Sequence, residues 1–230
     1  MKKTITTLGL LAASAVMSQA AVSFTGTAIS QTFDSYDGTA APTGWDASGF
    51  SSGAGFSENR GSSTGGVGTG GAYAFDVGAG NVALGVQPGG SDFTPGYFEL
   101  EVTNDSGSTV ATWAIAFKSY VLNDQARGNS FNFSFSTDGS SYTPVAAGSF
   151  TSADGAGGSW TLGADYSDSI SASVASGSSL FLRWSGDDES GSGSRDEFAL
   201  DDVSIDVVPE PSSTALLGLG GLALLARRRR

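Results

Sequence analysis

Carboxylates dominate the side chains of this sequence that could bind ions, move protons or meet a ligand. Asp187, Asp188, Glu189, Asp196, Glu197, Asp201 and Asp202 fall within one stretch interleaved with Ser and Gly. Calcium takes about six to eight oxygen ligands in adaptable geometry, so Asp196, Glu197, Asp201 and Asp202 are the candidate ion ligands. Their spacing is not that of an EF-hand loop, and a solvated acidic loop is the competing reading. No other cofactor is implied. Phe198 and Leu200 are apolar at even positions, whereas Val203, Ile205 and Val207 are apolar at odd ones. The inward phase therefore slips at Asp201-Asp202. Either a β-bulge absorbs one residue there, or Asp201 points inward and needs Arg183, Arg195 or a cation as partner, because an unpaired buried carboxylate is costly.

Glu99 and Glu101 offer a second carboxylate arrangement. Two residues apart on one strand face, they lie about 6.6–7 Å apart, close to the separation of glycosidase acid/base pairs. No further catalytic pattern accompanies them. Trp45, Trp113, Trp160 and Trp184 could stack on sugars. Trp113 and Trp184 sit in alternating apolar patterns and read as core, while Trp45 and Trp160 have polar and Gly-rich neighbours and read as freer or as a satellite cluster under a loop. Tyr97, Tyr120 and Phe181 have no assigned role. The chain contains no histidine and no cysteine. Imidazole-dependent hydrolysis, thiol chemistry, disulfides and the usual zinc or copper sites are thereby excluded.

The elements that must position these groups are strands. Phe98, Leu100 and Val102 alternate with Glu99 and Glu101; Trp113, Ile115 and Phe117 with Ala114 and Ala116; Phe131, Phe133 and Phe135 with Asn132 and Ser134; Leu180, Leu182 and Trp184 with Phe181 and Arg183. Period two marks half-buried strands. Turn signals at Asn104-Asp105-Ser106-Gly107, Asp138-Gly139 and 187–191 separate them, and no helical periodicity intervenes. The expected fold is all-β: an antiparallel two-sheet sandwich of jelly-roll type. Residues 47–71, rich in Gly and Ser, read as a long mobile loop. The Gly-rich runs lack the strand-to-helix context and the lysine of a phosphate-binding loop.

Both ends of the chain differ from this body. Lys2 and Lys3, the apolar run from Ile5 to Val16 and small residues up to Ala20 have the form of a cleavable signal peptide spanning 1–20, cut after Ala20 by signal peptidase. At the other end, 208–230, Pro209-Glu210-Pro211 precedes an uncharged, leucine-rich segment from Ser213 to Ala226 and the block Arg227, Arg228, Arg229 and Arg230. As a helix that segment spans about 20–24 Å, a short transmembrane helix against a bilayer core of about 30 Å. The arginines act as a cytoplasmic stop and leave the body outside. Both prolines hold the chain extended just upstream, where a protease can read it.

This C-terminal triplet, apolar segment and arginine cluster together resemble the PEP-CTERM sorting signal of exported bacterial proteins. The resemblance implies recognition by the membrane protease exosortase, cleavage near Pro209-Glu210-Pro211, and release or transfer to the surface. Thr32-Phe33-Asp34, Pro42-Thr43-Gly44-Trp45, Phe98 to Val102 and the hairpin at 137–142 loosely resemble the body of many such proteins, which implies a sandwich but no activity. Between the signals, residues 21–207 hold 22 acidic and five basic side chains. A net charge of −17 follows, which makes nucleic acid a poor partner. The expected protein is a non-enzymatic surface or extracellular-matrix component, structural or adhesive, held transiently in the inner membrane. A carbohydrate-binding module for extracellular polysaccharide, with or without calcium, is the alternative, and a carboxylate glycoside hydrolase is the weakest one.

Overall fold

A computed structural model describes residues 19–208 apart from Ala156. The signal peptide up to Ser18, the triplet Pro209-Glu210-Pro211, the apolar segment and Arg227 to Arg230 lie outside the described residues. Fourteen strands make up the described body: β1 (Val22–Phe24), β2 (Ile29–Gln31), β3 (Trp45–Ser48), β4 (Asn59–Ser63), β5 (Gly71–Asp76), β6 (Val82–Gln87), β7 (Gly96–Asn104), β8 (Val110–Leu122), β9 (Ser130–Ser136), β10 (Thr143–Pro144), β11 (Phe150–Thr151), β12 (Trp160–Val174), β13 (Ser179–Gly186) and β14 (Glu197–Val207).

The strands form two sheets. The first runs β1-β7-β13-β9-β10, with β3 also on β7 and β11 on β9; the second runs β12-β8-β14-β6-β5-β4, with β2 on β14. The sandwich is all-β as expected, but it is mixed and not wholly antiparallel: β1 pairs parallel to β7, and β4 parallel to β5. Both exceptions involve short strands from the N-terminal third; β1 and β7 are far apart in the chain, whereas β4 and β5 are joined by residues 64–70 alone.

The alternating aromatics meet between the sheets. Phe98, Leu100, Val102, Trp113, Ile115, Phe117, Phe131, Phe133, Leu180, Leu182 and Trp184 are all buried. Phe131 stacks on Phe198 across the layers at 5.4 Å, and Trp184 meets Trp45, Phe117 and Phe133 at 5.1–5.4 Å. A second, smaller cluster covers the outer side of the second sheet. Tyr73, Phe75, Ala83 and Ala199 form its centre, with Val67, Tyr120 and Trp160 packed around them.

The Gly/Ser-rich segment 47–71 corrects the expectation of one long mobile loop. Residues 59–63 form edge strand β4, and the stretch after it is tied down by two distant partners, Trp160 and Glu197, and one local one, Tyr73. Trp160 donates its indole N–H to the Thr64 carbonyl at 2.9 Å, Tyr73 donates its hydroxyl to the Thr69 carbonyl, and the Val67 N–H reaches the Glu197 carboxylate at 2.7 Å. Low local hydrophobicity therefore does not make this segment free.

The slip at Asp201-Asp202 is a β-bulge. Asp201 pairs with Lys118 and Ser204 with Ala116, leaving Asp202 and Val203 opposite Phe117 alone. Asp202 adopts φ +51°, the left-handed conformation that Asp tolerates better than most residues.

Candidate functional site

Outward residues of three strands in the first sheet line up across the pairing register. Tyr97 of β7, Ser185 of β13 and Asn132 of β9 form one row; Glu99, Arg183 and Ser134 form the next. Alternation dictates this: each neighbour along the strands, Phe98, Trp184 and Phe133, turns into the core, so these six must face out. Tyr142, entering β10, rises beside them.

Arg183 is the centre of the arrangement. Its guanidinium lies between two aromatic rings, 3.8 Å from the Tyr97 centroid and 3.6 Å from that of Tyr142. Its Nε donates to Glu99 Oε2 at 2.7 Å and Nη2 donates to the Tyr142 hydroxyl at 2.8 Å. The Tyr142 hydroxyl donates to the same Glu99 oxygen at 2.5 Å. Burial, and then the Glu99 carboxylate beside it, pushes the Tyr142 phenol well above its usual range, so it stays a neutral donor. Cation–π contact and charge-assisted hydrogen bonds act on one group at once, which locks both rings in place.

These residues border two adjoining depressions of about 510 and 550 Å³ that share Asn132, Ser134, Tyr142 and Ser185. The groove thus has a hydroxyl- and amide-bearing floor with rigid aromatic sides. It opens toward Asp187 and Glu189 at one end. A further depression, of about 620 Å³, is lined by the continuous segment 30–43. There Asp34 accepts from Thr32 and Asp37 from Thr39, so its carboxylates are engaged locally.

The tryptophans are not on the groove. Trp45, Trp113 and Trp184 are fully buried, and Trp45 and Trp113 place their N–H groups on Gln31 and the Ala172 carbonyl. Trp160, the one partly exposed indole, belongs to the satellite cluster with Phe75. Reasoning from sequence passed over Tyr97 and gave Tyr142 and Arg183 no binding role. Outward parity of Tyr97, Glu99 and Arg183 was the available signal; the pairing that makes them neighbours was not. Glu99 and Glu101 also separate by role. Glu99 is held by Arg183 and Tyr142, whereas Glu101 accepts from the Ser179 hydroxyl at 2.7 Å.

The proposed ion ligands do not converge. Asp196 is buried and accepts from the Gln125 N–H at 2.9 Å; burial raises its carboxyl above the usual range. Glu197 holds the Val67 N–H with one oxygen, while the other is buried without a partner, and burial pushes the group up to about 7. Asp201 is four residues further along β14, about 13 Å away by strand rise. It is buried to 1 % exposure on the outer side of the second sheet, neither oxygen has a well-formed hydrogen bond, and burial pushes it up to about 6. Neither Arg183 nor Arg195 reaches it. Asp202 turns to Lys118 at 2.9 Å. Among the described residues no three acidic side chains are grouped to hold a metal ion. The turn at Asp187-Asp188-Glu189 is instead tied by arginine: Asp188 receives Arg195 and Arg127, and the Arg195 hydrogen bonds hold its carboxyl below the usual range.

No curated protein matches the sequence. Among solved structures, the K3 cleaved adhesin domain of Lys-gingipain from Porphyromonas gingivalis is 12 % identical, covering 77 % of this chain and 98 % of that one, with a TM-score of 0.45. A xylan-binding domain from Paenibacillus barcinonensis is 15 % identical over 84 % of this chain and 99 % of its own, with a TM-score of 0.41. The N-terminal cellulose-binding domain of β-1,4-glucanase C from Cellulomonas fimi is 16 % identical over 74 % and 93 %, with a TM-score of 0.40. Among the described residues no helix is long and apolar enough to cross a membrane. At the C terminus, where Pro209-Glu210-Pro211 and the arginine block stand, residues 207–230 match the PEP-CTERM protein-sorting motif.

Proposed function

We propose that this chain is an exosortase-sorted surface protein whose β-sandwich works outside the cytoplasm as an adhesive or structural component. The match at residues 207–230 carries this reading. Export by signal peptidase cleavage after Ala20 and passage through a membrane-held stage complete the route. The tail is disposable: a surface product ending near Pro209-Glu210-Pro211 is expected, and intact-mass measurement of the secreted form checks it. A product that keeps Arg227 to Arg230 refutes processing.

The body adheres through the groove on the first sheet, which suits extracellular polysaccharide. Asn132, Ser134 and Ser185 present hydrogen-bond donors and acceptors at strand spacing, and Tyr97 and Tyr142 supply rigid ring edges at little cost in conformational freedom. Catalysis is not part of the proposal, since Glu99 is committed to Arg183 and Tyr142 and lacks a free acid/base partner. Substituting Tyr142→Ala together with Asn132→Ala is expected to weaken polysaccharide binding at least about tenfold, the loss of one to two well-placed contacts. Glycan-array and affinity measurements on the 21–208 body test this. Blank arrays with and without calcium would exclude the glycan reading while leaving the sorting route intact.

A further inference from the structure

One end of the sandwich is unlike the other, and the sorting tail leaves from it. β14 runs in the middle of the second sheet, and the Val208 N–H still donates to the Thr112 carbonyl at 3.2 Å. The sequence then has only Pro209 to Ser212 before the uncharged segment begins. Four residues reach at most about 14 Å even when fully extended. A body held by that segment is therefore kept within about 14 Å of the point where the segment enters the membrane.

Three exposed turns meet at this end, 25–28, 105–109 and 175–178, and the β9–β10 hairpin turn 137–142 with exposed Asp138 lies beside them. Asn104, fully buried beneath them, binds them into one platform. Its amide nitrogen donates to the carbonyls of Ser108 and Val174 at 2.8 and 2.9 Å, its amide oxygen accepts from the Ser106 hydroxyl at 2.7 Å, and its backbone joins Gly177 and Ser178. The Asp105 N–H adds the Phe24 carbonyl. Asp105 is the single charged residue in the three turns, and it accepts a hydrogen bond from Ser23. At the opposite end, the connections 88–95, 123–129, 152–159 and 187–196 carry Asp92, Asp124, Asp154, Asp187, Asp188, Glu189 and Asp196 against Arg127 and Arg195. The groove opens toward that acidic end.

We propose that during its membrane-held stage the sandwich stands end-on upon anionic lipid headgroups, on the platform of turns 25–28, 105–109 and 175–178, with the groove directed away from the bilayer. The inference rests on the sorting reading above. Anionic headgroups repel carboxylates within about a Debye length, about 8 Å at physiological salt. A tether this short favours the less acidic end at the surface, and the tail-proximal end is that one, with Asp105, Asp138 and Asp206 against the seven carboxylates of the far end. Hydroxyls and backbone amides of Thr25, Thr27, Ser108 and Ser176 can meet headgroup phosphates without that repulsion.

Because the chain has no cysteine, single-thiol labels are unambiguous. Chains of residues 21–230 carrying Ser108→Cys, Ser176→Cys or Ser192→Cys, each bearing a thiol-linked fluorophore, are reconstituted into phosphatidylethanolamine–phosphatidylglycerol vesicles containing headgroup-spin-labelled lipid. Quenching at 108 and 176 at least about threefold stronger than at 192 is expected. Equal quenching at both ends overturns end-on docking although the protein is anchored. Failure of the chain to co-float with vesicles refutes the anchoring reading itself, and this proposal with it. In a second arm, the exposed substitutions Thr27→Glu, Ser108→Glu and Ser176→Glu are combined with the 192 label. They are expected to raise quenching at 192 about twofold in the anionic vesicles and leave it unchanged in phosphatidylcholine; no difference between lipids overturns the electrostatic basis.

Discussion

Replacing Trp184 by alanine is expected to cost about 3–5 kcal/mol, the range for removing a large aromatic from a packed core. For a body of this size, at about 2–4 °C per kcal/mol, the melting temperature falls by roughly 6–20 °C. Total stability of natural domains is only about 5–15 kcal/mol, so this one change removes a large share of it. The reason is position. Trp184 touches Trp45, Phe117 and Phe133, joining β13 of the first sheet to β3, β8 and β9 in both layers. Its indole N–H is buried without a partner. Trp184→Phe keeps a ring and removes that orphaned donor, so a loss near 1 kcal/mol is expected from the smaller volume. Thermal unfolding of the 21–208 body separates the two variants; equal losses would show that ring packing is not what Trp184 supplies.

The second large effect is a pH dependence of unusual sign. Burial pushes Asp201 up to about 6 and Glu197 up to about 7. Both groups hold their protons more tightly in the folded state than in the unfolded chain, where carboxyls titrate near 4. Their favourable contribution is complete below about pH 4 and is lost as pH rises through 6 and 7. Asp188, whose carboxyl is held low by Arg195 and Arg127, works in the opposite direction at more acid pH. Asp201→Asn cannot ionise, so it is expected to stabilise the body by about 1–2 kcal/mol at pH 8, with little effect at pH 4. Melting curves from pH 4 to 8 should therefore flatten in the variant. Asp202→Asn is the control: its carboxylate is solvent-exposed beside Lys118, and a change within about 0.5 kcal/mol and an unaltered pH slope are expected. If Asp201→Asn leaves the slope unchanged, its burial is not what governs the pH response.

These predictions also bear on what could be read before folding. Alternation in β7, β8, β9 and β13 was legible because each strand has one buried face, and each inward aromatic named from those strands lies in or against the core. The slip at Asp201-Asp202 was legible as a phase error; the structure resolves it as a bulge. It left Asp201 on the outer side, a position usually wet. Its burial there to 1 % exposure comes from the tertiary packing and not from the strand pattern. The strap after β4 was illegible for a similar reason. Gly and Ser composition reports local stiffness, whereas Trp160 and Glu197 tie Thr64 and Val67 to places far away in sequence.

By itself the sequence determined the sorting motif and the class of fold. The sorting motif is contiguous, so its residues need no partner from elsewhere to be recognised, and strand periodicity is likewise a short-range signal. Tertiary structure decided what faces what. Tyr97 and Glu99 of β7, Arg183 of β13 and Tyr142 just before β10 become neighbours only through the register β7-β13-β9-β10; Asp196, Glu197, Asp201 and Asp202, close in sequence, are separated because an extended strand turns successive residues to opposite faces and carries each about 3.3 Å further along.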